Sequence, residues 1–264
     1  MVFNVGDLVT RKSYNNDTVF KIIKIDENKN IYLKGITVRL LADAEESDLT
    51  LYNKGEDEII EIDSRQFENI KDDFNMNRNE YFYLPGKVLH IDGDKEYLDR
   101  CLNFYKQYNI LAYGINQKEE DIYKNIKKYL YETNADIVVI TGHDAHYSKK
   151  GDKNTLPSYQ NSSNFIKAVK EARKYEKAHD KLIIIAGACQ SNYEELIKAG
   201  ANFASSPKRI NIHALDPAII ATMVGLTEKG IDIDLIGILS KTKYGCDGLG
   251  GIKTKGTMYV GFPR

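Results

Sequence analysis

Two short β-branched runs constrain this chain more than any other feature: Ile137–Thr141 (Ile-Val-Val-Ile-Thr) and Leu182–Ala186 (Leu-Ile-Ile-Ile-Ala). The first empties into Gly142-His143-Asp144 and the second into Gly187-Ala188-Cys189-Gln190-Ser191. Runs this short, apolar and closed by glycine read as buried strands. The amphipathic stretch between them is long enough for a crossover helix. Parallel strands joined by a right-handed helical crossover end at the same edge of a sheet. Open α/β sheets place their sites at that carboxyl edge. The pattern therefore predicts that His143 and Cys189 emerge there together, as base and nucleophile.

The same alternation extends over the chain from Pro85 onward and predicts an α/β fold with an open, mainly parallel sheet. Strands are expected at Lys87–Ile91, Ile110–Tyr113, Ile137–Thr141, Leu182–Ala186, Ala201–Ser205 and Asp234–Leu239. Helices are expected where Leu98, Cys101, Leu102 and Tyr105 repeat at helical spacing, and likewise Ile122, Ile126, Tyr129 and Leu130. Further helices carry Phe165, Ile166, Val169 and Ala172, then Tyr193, Leu196 and Ile197, stopping at Gly200. Asp216-Pro217 reads as N-cap and N1 of a helix with Ile219, Ile220, Met223 and Val224 on its apolar side.

Residues 1–52 have a different rhythm. Short strands at Val5–Thr10, Val19–Ile25, Ile31–Leu33 and Val38–Leu41, with Asn/Asp/Gly turns, suggest a small SH3-like β-barrel. A barrel of that kind is expected to dock a partner and carry no chemistry. Residues 53–84, acidic and then Asn-rich, read as a linker with a short helix near Ser64–Ile70. Residues 85–264 form the α/β domain.

A chain of 264 residues has ample material for such cores. Its 37 basic and 38 acidic side chains create no global field, so neither nucleic acid nor a membrane is expected as a partner. Three cysteines make no disulfide framework and suggest a reducing compartment. The first residues lack a signal-peptide pattern, and no apolar run approaches the ~20 residues that span a bilayer. Synthesis in the cytoplasm is expected.

Cys189 carries the sharpest chemistry. Placed just before a helix, it is expected to have its thiolate stabilised by the helix N-terminus. Histidine as a residue type exchanges protons near neutrality, so His143 is the expected base or imidazolium partner of that thiolate. His146 competes by sequence proximity and His213 more weakly; His90 and His179 read as structural. Cys101 lies on a core face, while Cys246 sits on a glycine-rich loop as an exposed thiol. No zinc-type spacing is visible, so no metal and no cofactor are expected. Gly248-Leu249-Gly250-Gly251 lacks the strand–turn–helix setting of a phosphate loop.

The order histidine then cysteine, 46 residues apart, with Gly187-Ala188-Cys189, resembles the caspase/clostripain/gingipain clan. A closer resemblance covers essentially the whole chain. Val139-Ile140-Thr141-Gly142-His143-Asp144-Ala145, the Leu182–Asn192 segment, the Leu89-His90-Ile91-Asp92-Gly93-Asp94 turn and the N-terminal barrel resemble the YabG family of sporulation-specific peptidases. The resemblance implies a caspase-like fold and a cysteine endopeptidase working by a His143/Cys189 dyad. It implies trimming of spore coat and cortex-related proteins after arginine, and a mother-cell protein that ends in the spore coat. The clan places glycine after its histidine; here Asp144 follows and Gly142 precedes. The oxyanion donors expected are the backbone amides of Cys189 and Gly142.

An arginine substrate needs a carboxylate fork in a partly dry pocket. If the first strand lies beside the third, the Asp92-Gly93-Asp94 turn emerges next to His143. Asp92 and Asp94 are therefore the expected pocket residues, with Asp92 preferred because Asp94 also suits a helix N-cap. Asp144, Asp216 and Asp247 remain alternatives. Lysine is the second basic side chain such a pocket would take. Arg65 and Arg78 in the linker are candidate self-cleavage sites. The rival reading is a non-catalytic flavodoxin- or receiver-like binding module carrying a docking barrel.

Overall fold

A computed structural model describes residues 3–65 and 81–262. The chain divides into two compact units, Met1–Ile70 and Lys71–Arg264.

In the first unit, β1 (Leu8–Arg11), β2 (Val19–Ile25), β3 (Ile31–Gly35), β4 (Leu41–Ala44) and β5 (Leu49–Leu51) form one antiparallel sheet. Its order is β4-β3-β2-β1-β5, so the last strand returns to pair with the first. Alternation sets the buried face: Ile31 and Leu33 point inward with Val9, Phe20 and Ile22. The fourth strand lies three residues later than its expected place at Val38–Leu41. Leu40 N–H donates to Val38 O and Gly35 N–H to Leu40 O, so residues 35–40 close a turn before pairing resumes at Leu41. Helix α1 (Glu56–Arg65) lies in the stretch read as linker. Ser64 and Arg65, the start of the expected Ser64–Ile70 helix, form its last turn; residues 66–70 lie outside the described residues. Arg78 lies outside them too.

The second unit holds a six-stranded sheet in the order β12-β11-β10-β9-β7-β8. Its strands are β7 (Val88–Asp92), β8 (Ala112–Asn116), β9 (Ile137–Thr141), β10 (Ile183–Ala186), β11 (Phe203–Ser205) and β12 (Leu249–Gly251). The first five are parallel, and β12 runs antiparallel to β11. The first strand of the unit's parallel series, β7, pairs with the third, β9, in register from Val88↔Ile137 to Asp92↔Thr141. Beyond this sheet, β6 (Phe82–Leu84) pairs with β13 (Tyr259–Gly261).

Helices α2 (Lys95–Gln107), α3 (Glu119–Thr133), α4 (Ser162–Tyr175), α5 (Tyr193–Ala199) and α6 (Asp216–Leu226) pack on both faces of the sheet. One core joins Leu89, Ile91, Val138, Ile140 and Ile184 to Ile122 and Ile126 of α3, Phe165 and Val169 of α4 and Leu196 of α5. The opposite face takes α2 and α6. Every residue of α6 is buried, as its Ala/Ile/Met/Val composition allows.

Strands β7, β10 and β11 begin one or two residues later than the sequence reading has them, and three other elements differ more. Ile110 N–H bonds back to Tyr105 O after a left-handed Asn109, so β8 begins only at Ala112. Leu215 is the N-cap of α6, and Asp216-Pro217 occupy N1 and N2. Asp216 accepts instead from His213 N–H and Lys243 N–H. The expected strand Asp234–Leu239 is a helix, α7 (Leu235–Ser240), because Asp234 caps it by accepting from Gly237 N–H. The sixth strand comes from the glycine-rich tail that follows α8 (Gly245–Gly248), where Leu249–Gly251 pairs with β11.

Candidate active site

β9 and β10 are neighbours, paired in register from Ile137↔Ile183 to Ile140↔Ala186. The turns that follow them therefore leave the sheet side by side, one carrying His143 and the other Cys189.

His143 is held at four points. Its amide donates to Glu119 Oε1 (2.8 Å) and its carbonyl accepts from Asn161 Nδ2 (2.9 Å). Its imidazole Nε2 lies 3.1 Å from Asp94 Oδ2, and the ring meets Tyr97 edge-on with centroids 5.7 Å apart. The other ring nitrogen, Nδ1, is buried and has no hydrogen-bond partner among the described residues. Gly142, just before the histidine, lets the Glu119 carboxylate approach: a Cβ there would collide with it.

Asp94 performs two tasks with its two oxygens. Oδ1 caps α2, accepting from Glu96 N–H (2.9 Å) and Tyr97 N–H (3.2 Å), while Oδ2 faces His143. Capping and the histidine contact thus coexist. Asp92 is fully buried: Oδ1 accepts from Asp94 N–H (2.9 Å), and Oδ2 lies 3.3 Å from Thr141 Oγ1. Asp92 therefore shapes the turn from within, and Asp94 is the member of the pair at the histidine.

Cys189 is fully buried. Its thiol sits against one peptide unit of the segment after β11: Ile212 N–H donates to Sγ (3.3 Å), and Sγ lies 3.7 Å from Ile212 O. The expected helix N-terminus is not where the thiol lies. Cys189 is in a turn closed from Ala188 to Ser191, with Gln190 left-handed at φ 58°, and Asn192 caps α5 three residues later. Gly187 enters that turn at φ 106°, and a Cβ on it would meet Leu196 Cδ1 at 2.9 Å.

The two turns are bonded to each other. Ser191 Oγ donates to Asp144 Oδ2 (2.8 Å), and His146 N–H donates to Gln190 Oε1 (3.2 Å). Asp144 also accepts from Ser162 Oγ, Asn161 N–H and Ala145 N–H. Burial raises its pKa above the ordinary aspartate value, against the lowering pull of those donated bonds.

The remaining histidines and cysteines have other positions. His146 packs at a tilt against Tyr159, with centroids 4.9 Å apart. His90 meets Tyr105 OH at 2.9 Å inside β7. His213 is buried before α6, where its Nδ1 accepts from Leu215 N–H. His179 follows α4 beside Arg173, and burial first, then that guanidinium, lowers its pKa. Cys101 is buried in α2 and Cys246 is exposed. Asp247 lies in α8, away from the turns just described in sequence. Among the described residues no three His, Cys, Asp or Glu side chains gather in a metal-binding arrangement, and no helix is long and apolar enough to cross a membrane.

Glu119, Asn161, Ser162 and Ser191 escaped the sequence reading. Glu119 had a visible signal, since it opens the helix after β8 and so lies at the same carboxyl edge. The others are recognisable only by the partners that the fold gives them.

The model of the YabG peptidase family U57 matches residues 4–263. The chain belongs to the YabG peptidase family. A curated member from Bacillus subtilis (strain 168), the sporulation-specific protease YabG, is 41% identical over an alignment covering 100% of this chain and 99% of its own length. Membership in the YabG family makes the chain a peptidase, and leaves the non-catalytic binding module without support.

Proposed function

We propose that this peptidase is a sporulation cysteine endopeptidase that uses a His143/Cys189 dyad and cuts protein substrates after arginine, with lysine second. The observation that carries the reading is the hydrogen bond between His143 Nε2 and Asp94 Oδ2. A carboxylate on one ring nitrogen fixes the tautomer and leaves the other, Nδ1, for proton transfer. The neighbouring turns of β9 and β10 support the pairing with Cys189. We assign the second unit to a caspase-like fold and the first to an SH3-like docking barrel on the same grounds of strand order and pattern.

In this mechanism the Cys189 thiolate adds to the scissile carbonyl carbon, with the Cys189 and Gly142 amides receiving the oxyanion. The C–N bond breaks and the amine leaves with a proton from His143. Water then gives a proton to His143 and its oxygen attacks the thioester; the C–S bond breaks, the carboxylic acid product leaves, and the Cys189 thiolate with protonated His143 is restored. Substrate entry requires the Ile212 peptide to move off Sγ. We assign arginine recognition to the acidic corner of Asp94 and Glu119, with Asp92 fixing the turn beneath. Spore coat and cortex-related proteins, processed by an enzyme made in the mother cell and later held in the coat, are the proposed substrates. Self-processing is proposed at Arg65, the exposed end of α1, or Arg78.

Arginyl and lysyl fluorogenic peptides test the reading. Wild type should cleave them, and Cys189→Ala and His143→Ala should not while melting normally. Self-processing should show as fragments cut at Arg65 or Arg78 in the intact-mass spectrum of wild type, and as the full-length mass alone in Cys189→Ala. Cleavage that survives Cys189→Ala would falsify the dyad.

A further inference from the structure

Asp144 stands where the sequence departs from the clan's histidine–glycine pattern, and its surroundings give it a task. Oδ1 accepts from Ala145 N–H (2.9 Å) and Asn161 N–H (2.7 Å). Oδ2 accepts from Ser162 Oγ (2.5 Å) and Ser191 Oγ (2.8 Å). Both hydroxyls are committed as donors to the carboxylate, because each also accepts a backbone amide. Ser191 Oγ accepts from Ala188 N–H (2.9 Å), and Ser162 Oγ accepts from Asn192 N–H (2.8 Å). The two amides so reached flank Cys189 and Gln190 on either side. Asn161, whose amide is held by Asp144, in turn holds the His143 carbonyl.

The geometry points to Asp144 as a positioning residue of the proposed reaction: a buried carboxylate that, through Ser191 and Ser162, fixes the Cys189 turn relative to the His143 turn. This rests on the His143/Cys189 reading above. The physical argument is directional. A buried carboxylate is costly, and packed apolar side chains would hold two turns together at least as well. Apolar packing, however, tolerates sliding, whereas a carboxylate with four donors fixes both separation and orientation. Every donor here comes from a segment adjoining one of the two reacting residues or from the start of α4 between them. Catalysis by a dyad needs that precision, since small misplacements of the reacting groups cost large factors in rate.

Three variants separate positioning from folding. Ser191→Ala removes only the link to Ala188; Ser162→Ala removes only the link to Asn192. Asp144→Asn keeps shape and an oxygen for the two amides, but turns its other end from acceptor to donor. On an arginyl fluorogenic peptide, with active sites titrated by an arginyl chloromethyl ketone, Ser191→Ala should lose 10-fold or more in kcat per titrated site. Its KM should stay within about 2-fold, and its melting should remain cooperative. Ser162→Ala should lose less. Ser191→Ala combined with Asp144→Asn should be no worse than the poorer single variant, because both break one chain of bonds. A merely structural role would lower the melting temperature and the titratable fraction but leave kcat per titrated site unchanged. That outcome, with Cys189→Ala inactive, overturns this proposal alone; activity in Cys189→Ala overturns the dyad and this proposal together.

Discussion

Asp94 Oδ2 lies 3.1 Å from His143 Nε2, while the same carboxylate's Oδ1 caps α2. One side chain thus anchors a helix and orients an imidazole. The two tasks separate by substitution, because asparagine is as good an N-cap as aspartate but cannot hold an imidazole in the same tautomer.

Asp94→Asn should therefore melt within about 0.5 kcal/mol of wild type, since the cap survives. Its kcat should fall about 100-fold or more. Asp94→Ala should lose activity and also about 1 kcal/mol of stability with the cap. Denaturant melts beside steady-state kinetics check both; an Asp94→Asn enzyme with normal kcat would remove the orienting role.

Thiol labelling should report burial before reactivity. Cys246 is exposed, whereas Cys189 and Cys101 are buried. Iodoacetamide near neutral pH should modify Cys246 first, and peptide mass mapping should find Cys189 protected. An arginyl chloromethyl ketone, which brings its own recognition, should reverse that order. Rapid labelling of Cys189 by the plain reagent would contradict the cover formed by Ile212.

Arg173 is a fold-holding cation. Its guanidinium donates to Gly200 O (2.7 Å), Leu182 O (2.9 Å) and Asn202 Oδ1 (2.5 Å), tying the end of α4 to the start of β10 and the exit from α5. Arg173→Ala takes a donor from the buried Leu182 carbonyl and from the Gly200 carbonyl, while Asn202 Oδ1 keeps the Ile184 amide, and should destabilise the second unit by about 1–3 kcal/mol. Lysine should rescue little, since an ammonium cannot spread over that fork. Urea unfolding followed by circular dichroism measures both.

Asp48 predicts an acid limit for the first unit. Ser13, through hydroxyl and amide, and then Arg11 hold its pKa at about 2 against an ordinary 3.8. A depressed carboxylate stabilises fully above its unfolded value and loses that contribution as pH falls through its folded one. The Asp48 contribution should accordingly vanish between about pH 4 and pH 2. Asp48→Asn should melt lower at pH 7 and show a flatter dependence of melting temperature across that window. Parallel curves for the two proteins would contradict it.

The strands that matter most for function were the most legible. β9 has its expected bounds, and β10 begins one residue late, because continuous β-branched runs admit little else. The adjacency of β7 and β9 follows from topology, and with it the approach of the Asp92–Asp94 turn to His143. The preference for Asp92 over Asp94 does not survive, because capping α2 uses only one oxygen of Asp94 and leaves the other for His143. Asp234–Leu239 misled because a short apolar run suits either period; a single capping bond from Asp234 decided for helix. β12 was hidden in glycine and appears only because β11 offers it a partner. Least visible were Asp144 and the covering of Cys189. Both depend on segments far apart in sequence, Ser162, Ser191 and Ile212, whose meeting no local pattern encodes.

The Ile212 peptide presents to the sulfur the same two groups, an amide hydrogen and a carbonyl oxygen, that any extended polypeptide carries. The enzyme's own backbone is thus its first competitor, present at an effective concentration no diffusing molecule matches. If Cys189 is the proposed nucleophile, the opening of that segment would set a ceiling on how fast any reagent, inhibitor or client chain reaches its sulfur, however well the side chains fit.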